Sequence, residues 1–214
     1  MEITPPEHPI RSWREFLSHI LTVTCGILIA LGLEQMVELH RAHTLAGHAR
    51  ADFRAELANN REKIEATRAS DHANGDWLAS LTAYGEARLK PNHPKLGDPK
   101  GPPATERTFV MLPTSAWEVA VATQAVNQLD FGEARALSAA YNRIAVLNGL
   151  SAQARSQWIE LSGWRGSDPA TLSDGDLRTL LRILYVGFAY AHSLEARDTS
   201  VLAAIDTAAA VLKP

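Results

Sequence analysis

The chain has 214 residues, of which 46% are hydrophobic and 21% are charged, a balance typical of a folded protein and not of a disordered one. Its formal net charge of −3 and the lack of a long run of Lys and Arg give no reason to expect nucleic acid as a partner. Cys25 is the only cysteine, which excludes an intramolecular disulfide. This length suits one substantial domain with an additional segment.

The most apolar segment covers residues 16–33, in which His19 is the only ionisable residue. A helix of this length rises about 27 Å, close to the ~30 Å thickness of the hydrocarbon core of a bilayer. We predict a transmembrane helix here, preceded by an N-terminal tail of residues 1–15. A cleaved signal peptide or a buried core helix are the alternatives, but the helical pattern continues through Glu34 and Glu38 without a break. An uncleaved anchor in the bilayer is therefore the preferred interpretation.

The basic residues near this segment predict its orientation. Arg11 and Arg14 flank the N-terminal side and favour a cytoplasmic N-terminus, which leaves the C-terminal domain in the periplasm. Arg41 and Arg50 lie close enough to the other side to favour the opposite orientation. We expect the periplasmic placement of the domain.

A row of mostly small residues runs along the predicted transmembrane helix. It consists of Ser18, Thr22, Gly26, Ala30 and Glu34, spaced four residues apart. Residues at this spacing form one ridge, and small side chains on a ridge allow a second backbone to approach closely. The row predicts a helix–helix interface, in a homo-oligomer or with a partner membrane protein, unless the small residues align by chance.

Beyond the membrane segment the pattern remains helical and never alternates with period two. Residues 34–90 predict a long stem helix and a short helix, separated by a break at Asn74-Gly75-Asp76. Residues 91–113 are rich in Pro and Gly and predict a loop, and residues 114–214 predict a helical bundle domain. The fold class expected is all-α, with a transmembrane helix continuing into a stem that packs with an antiparallel bundle.

Caps and apolar stripes define the helices of the bundle. Ser115 with Glu118, Asp130 with Glu133, and Ser173 with Asp176 are three predicted helix starts. The expected core positions of the stem, the middle helix and the last helix are, in that order, Leu45, Ala49, Phe53, Leu57 and Ile64; Leu137, Tyr141, Ile144, Leu147, Ala154, Trp158 and Leu161; Leu177, Leu181, Leu184, Phe188, Ala191, Leu202, Ile205 and Leu212.

Candidate chemistry is sparse. His40, His43 and His48 follow the membrane segment and are weak candidates for a metal site, whereas His192 and Glu195 fit a polar pair at a seam of the bundle better than a di-metal centre. No nucleophile elbow, phosphate-binding loop, dinucleotide fingerprint or zinc-protease motif occurs in the sequence. We therefore expect no metal and no cofactor, and we expect the protein not to be an enzyme.

Two stretches resemble a widespread group of single-span bacterial inner-membrane proteins of unknown function. The first combines "REFLSHILTVTCGILIALGLEQMVELHRA" with "FRAELANNREKI", in which residues 55–60 match an "xxEixxN"-like element of the group. The second, "TSAWEVAVATQAVNQLDFGEARALSAAYNRI", is similar to the later Trp…Leu…Ser-x-x-Tyr portion, with Gln124 where we expect Gly. The resemblance covers about half of the chain and implies an anchor followed by a helical domain, with no catalytic residues to transfer.

Three functional hypotheses follow. The leading one is a membrane-anchored, non-enzymatic interaction or accessory protein that self-associates or attaches to a membrane partner complex. The second is a ligand-sensing helical domain that signals through a partner, since bundles bind small molecules between helices. The third is a metalloprotein built on the histidines.

Overall fold

A computed structural model describes residues 13–91, 101–102, 109–164 and 166–212. Within these residues the fold comprises four α-helices and a short 3-10 helix, Ala125–Gln128, and contains no β-strand. The helices are α1 (Trp13–Arg88), α2 (Ser115–Ala122), α3 (Phe131–Ser162) and α4 (Asp174–Val211). The predicted all-α fold, with a long N-terminal helix that packs with later helices, is confirmed.

The chain divides into two compact units, the first ending at Gly47 and the second beginning at His48. In the first unit, residues 16–33 of α1 are exposed throughout. By its length and composition α1 could cross a membrane, and no residue of its most apolar window is buried. Trp13 is exposed, and its ring lies 5.5 Å from that of Phe16.

In the second unit, α4 runs antiparallel to the other long helices. Its C-terminal part meets the start of this unit, where Arg61 pairs with Asp206, and its N-terminal part meets the end of α1, where Tyr185 bonds to Glu86. The predicted antiparallel packing is confirmed for α4. In contrast, α1 and α3 run parallel, because Arg50 contacts Glu133 near one end and a ring contact joins the two helices near the other.

Apolar side chains from α1, α3 and α4 form the core at the positions that the stripes predict. The buried residues among them include Ala49, Phe53, Leu57, Ile64, Leu137, Ile144, Leu147, Ala154, Leu161, Leu177, Leu181, Leu184, Ala191, Ile205 and Leu212. Removing apolar surface from water stabilises the folded state by about 25 cal/mol per Å² buried. This stabilisation holds the three helices together. Leu194 and Val201 are also buried, next to the charged residues Glu195 and Asp198 of α4.

Phe188 is a correction to the predicted stripe, because its side chain is exposed. The neighbouring Gly187 faces α1 instead, where a Cβ atom on it would lie 3.7 Å from Leu78. Leu78 is fully buried, and 3.7 Å is an ordinary contact distance. The face of α4 that packs against α1 here therefore passes through Gly187 and not through Phe188.

The predicted break at Asn74-Gly75-Asp76 is wrong, because α1 continues to Arg88. Asn74 is buried, and its Nδ2 donates to the carbonyl oxygen of Ser70 at 2.7 Å. Gly75 lies against α4, where its missing Cβ would sit 3.9 Å from Ala191. Both residues thus serve packing inside the helix and not its termination.

The cap predicted at Ser115 is also wrong, because the N-cap of α2 is Thr114. The Thr114 hydroxyl bonds to Glu118 at 2.7 Å, and Ser115 is the first residue of the helix. The other two starts are confirmed. The backbone N–H of Asp130 donates to Glu133 at 3.1 Å, and Ser173 accepts from the backbone N–H of Asp176 at 3.2 Å.

The connection between α1 and α3 returns along the bundle. Residues 109–114 have no helical structure, and the rest of the predicted loop, residues 92–100 and 103–108, lies outside the described residues. Leu112 exchanges backbone hydrogen bonds with the Asn148 amide on α3, at 2.9 and 2.8 Å. This return of the chain is what allows α3 to start beside Arg50 and run parallel to α1.

Candidate functional site

The row of small residues predicted as an interface lies on α1 in the first unit. Ser18, Thr22, Gly26, Ala30 and Glu34 are all exposed. A Cβ atom built on Gly26 would meet no atom within 4 Å, so the surface beside it is open. A second helix therefore has access to this ridge in the described chain.

Thr22 shows how a polar residue is accommodated in this segment. Its hydroxyl donates to the carbonyl oxygen of Ser18 at 2.9 Å, which satisfies the donor within the helix. A polar side chain that bonds to its own helix is compatible with hydrocarbon, where an unsatisfied donor costs several kcal/mol. The polar side chain of Thr22 therefore does not argue against insertion.

The histidines after the apolar segment are His40, His43 and His48, and all three are exposed. In the part of the chain that the structure describes, no three His, Cys, Asp or Glu side chains are grouped so that they could hold a metal ion. The backbone carbonyl of His40 accepts a bond from the Thr44 hydroxyl at 3.0 Å. Among the described residues, no further side chain is placed to complete a metal site with these histidines.

The polar pair predicted at a seam of the bundle is a further correction. His192 and Glu195 both have exposed side chains and so do not lie in the seam. Glu195 instead approaches α1, where its Oε1 is 3.6 Å from Nδ1 of His72. The buried acidic residue of this part of α4 is Asp198.

A polar cluster around Glu56 joins α1, α2 and α3. The Glu56 carboxylate accepts bonds from the hydroxyl of Ser115 at 2.5 Å, from the backbone N–H of Ala116 at 3.0 Å and from the hydroxyl of Tyr141 at 2.8 Å. The negative charge thus sits at the N-terminus of α2, where the helix dipole is favourable to an anion. The N-cap residue Thr114 makes no side-chain hydrogen bond to the backbone of α2, and Glu56 supplies that acceptor from α1.

Three aromatic rings pack beside this cluster. Trp117 and Tyr141 stack with centroids 5.5 Å apart, and Phe53 lies 5.8 Å from Tyr141. Burial raises the pKa of the Tyr141 hydroxyl well above its ordinary value, and the hydrogen bond to the Glu56 carboxylate raises it further. Tyr141 therefore stays neutral and serves as a structural donor to Glu56.

Asn60 anchors the connecting segment one helical turn after Glu56. It is fully buried, and its Nδ2 donates to the carbonyl oxygen of Pro113 at 2.9 Å. Its Oδ1 accepts no hydrogen bond from the described residues. The neighbouring Asn59 is exposed, so Asn60 carries the structural role of the pair.

A buried ion pair joins the start of the second unit to the start of α3. Arg50 donates from Nε and Nη2 to the two carboxylate oxygens of Glu133, at 2.9 and 2.8 Å, and Glu133 is only 2% exposed. The hydrogen bonds to Glu133 raise the pKa of Arg50 above its ordinary value. Because Glu133 also caps α3, this pair sets the position of α3 along α1.

These contacts have only an indirect signal in the amino-acid sequence. Asn60 falls within the apolar stripe between Leu57 and Ile64, and a polar residue on a buried face is one that needs a partner. The element matched by the resemblance includes Glu56 and Asn60, but it does not indicate their partners. These partners lie on α2, on α3 and in the segment before α2, far away in sequence, 85 residues for the bond between Glu56 and Tyr141, so no local pattern identifies them.

No protein-family model, curated protein or solved structure matches this chain. Two features of the described residues bear on function. These are the exposed apolar part of α1 and the helical bundle that starts at His48.

Proposed function

We propose that the protein is a single-pass, membrane-anchored helical protein that acts by interaction and not by catalysis. The observation that carries the proposal is the exposure of residues 16–33 of α1. An apolar surface of this extent is unfavourable in water and is rare on soluble monomers. A lipid bilayer is the solvent that suits such a helix, since its backbone hydrogen bonds are all made internally.

The proposal includes a location. Arg11 and Arg14 support a cytoplasmic N-terminus, and the resemblance to single-span bacterial proteins supports the bacterial inner membrane. The helical bundle is then periplasmic.

The Glu56 cluster is consistent with a non-catalytic bundle, because its donors already occupy both carboxylate oxygens and tie three helices together.

The interaction surface proposed is the ridge from Ser18 to Glu34. It serves a homo-oligomer or a helix of a membrane partner complex, and the lack of side-chain bulk at Gly26 and Ala30 supports a close contact between backbones. Because lipid is as apolar as leucine, the packing of small residues and not burial from water drives such an association.

Crosslinking in native membranes tests the ridge. We expect Gly26→Leu with Ala30→Leu to abolish crosslinked oligomers or the recovery of the membrane partner, because two leucines separate the helices. Gly32→Leu is the matched control, since Gly32 lies in the same apolar segment, off the ridge, and likewise has no atom within 4 Å of its missing Cβ.

The control variant should retain the crosslinked species of the wild type. If the double variant retains the same crosslinks and the same partner as the wild type, then the ridge is not the interface. Equal loss in the control variant would also count against the ridge, because bulk anywhere in the segment would then suffice.

A further inference from the structure

We propose that the groove between α3 and α4 is a binding site for a small anionic ligand that carries a phosphate or carboxylate group. Arg143 of α3 and Arg197 of α4 line this groove, which has a volume of about 320 Å³. Small-molecule sites occupy about 300–1,000 Å³, so the groove is at the lower end of that range. The proposal goes beyond the proposed function and does not depend on it.

The positive charge of the groove supports an anionic ligand. Arg143 and Arg197 lie on adjacent helices, and both side chains are exposed at the groove. The remaining lining residues are Ala139, Asn142, Val146, Ser200 and Val201, which include no acidic side chain. Two guanidinium groups in one groove repel each other, and an anion bound between them is attracted to both.

The acidic residues of α4 nearest to this region are engaged elsewhere. Glu195 lies 3.6 Å from His72 of α1, and Asp206 pairs with Arg61 of α1. Asp198 is buried and lines a different cavity. The groove therefore keeps its positive charge while the acidic side chains of α4 are directed at other parts of the bundle.

The geometry of Arg143 also supports an anionic ligand. One of its nitrogens, Nη1, donates to the backbone carbonyl of Ser200 at 3.4 Å, a long bond that holds the guanidinium against α4. A guanidinium has five N–H donors in a planar fork, so a fork that uses one of them still matches a phosphate or carboxylate in a bidentate manner.

The neutral lining residues add specificity. The amide of Asn142 and the hydroxyl of Ser200 are further donors at the same groove, whereas Val146 presents an exposed apolar side chain. A ligand with one anionic group and a small apolar part suits this combination better than a bare ion does. The anionic group is either that of a soluble metabolite or that of a lipid headgroup.

Calorimetric titration of the full chain with inorganic phosphate, and separately with phenyl phosphate, tests the proposal. We expect binding to the wild type in detergent, and binding about tenfold or more weaker after Arg143→Ala with Arg197→Ala, because charge-assisted hydrogen bonds are lost. Arg155→Ala with Arg182→Ala is the matched control, since it removes the same charge from exposed positions of the same two helices.

A second arm uses nanodiscs with and without phosphatidylglycerol to identify the source of the anion. Binding of phenyl phosphate that only the groove variant loses supports a soluble ligand. Binding restricted to phosphatidylglycerol, again lost only in the groove variant, supports a lipid headgroup. If the wild type binds none of the three probes, or if the control variant loses binding as much as the groove variant, the proposal is overturned.

Discussion

At the scale of single residues, Tyr141 shows how a polar group is held inside the bundle. Its ring stacks on Trp117, and its hydroxyl donates to Glu56, which in turn accepts from the start of α2. The neutral hydroxyl is the form that this arrangement needs. A phenolate at this position would face the Glu56 carboxylate at hydrogen-bond distance.

The raised pKa of Tyr141 predicts a dependence of stability on pH. The pKa of Tyr141 is higher in the folded state than its unfolded value of 10.0. The neutral hydroxyl therefore stabilises the fold fully below pH 10, and this stabilisation is lost as the pH rises further. We expect the free energy of unfolding to fall above pH ~10. Urea unfolding of the full chain in detergent at several pH values measures it.

Tyr141→Phe provides the comparison. The variant should be less stable at neutral pH, because Glu56 loses a donor, and its stability should fall less steeply above pH ~10. The pKa of Tyr185 is also raised, by its hydrogen bond to Glu86. An absorbance titration should therefore show one fewer tyrosine that ionises at higher pH in the variant than in the wild type. An unchanged titration in the variant would show that Tyr141 is not the perturbed group.

Asn60 and Asn59 are adjacent asparagines with opposite surroundings. Asn60→Ala removes the buried bond to the carbonyl of Pro113 and leaves that carbonyl without its donor, so we expect the free energy of unfolding to fall by about 1–3 kcal/mol. Asn59→Ala, at an exposed position, should change it by less than about 0.5 kcal/mol. Thermal or urea unfolding checks both, and equal effects would contradict the assignment of Asn60.

At the scale of elements, helical periodicity predicts the buried faces well and the partners of those faces poorly. The positions of Phe53, Leu137 and Leu184 follow from spacing alone, because each helix must bury one stripe. The parallel course of α1 and α3 does not follow, because it depends on the path of a connection that contains no regular pattern. Contacts such as the one between Arg50 and Glu133 are therefore outside the reach of a sequence pattern.

The predicted break in α1 shows why glycine is an ambiguous signal in a sequence. Gly75 falls in the stretch that predicts the break, but in the structure it lies within α1 and faces Ala191 of α4. A glycine in a helical pattern can mark the end of the helix or a position at which a neighbouring helix packs. Only tertiary packing distinguishes these two roles.

The turn between α2 and the 3-10 helix contains a strained residue. Gln124 has φ of 59° and is the only non-glycine residue with positive φ in the described part of the chain. This is the position at which the resemblance leads us to expect Gly, and a left-handed conformation costs a non-glycine residue about 1–2 kcal/mol. The side chain is exposed, so little packing is lost by removing it.

We therefore expect Gln124→Gly to raise the free energy of unfolding by up to about 1 kcal/mol, the relief of strain being partly offset by the greater freedom of the unfolded chain. Gln124→Ala is the control, because alanine keeps the Cβ atom and with it the strain. Urea unfolding of the three proteins decides the matter. Stabilisation by alanine equal to that by glycine would mean that the backbone conformation is not the source of the strain.

At the scale of the whole molecule, the two units differ in which surface they expose. The bundle that starts at His48 buries its apolar stripes among α1, α3 and α4, whereas residues 16–33 of α1 bury none of theirs. One helix thus contains a stretch suited to hydrocarbon and a stretch suited to a packed core. The central claim is that the first stretch is an uncleaved anchor in a lipid bilayer.

Alkaline carbonate extraction of bacterial membranes, with mass spectrometry of the recovered chain, tests this claim most directly. We expect the wild type in the membrane pellet with residues 16–33 intact. Leu28→Arg with Ile29→Arg should release the chain, because each Arg near the middle of a span costs about 2.5–3.5 kcal/mol. Recovery of the wild type in the soluble fraction, or of a membrane-free chain that lacks residues 16–33, would contradict the account.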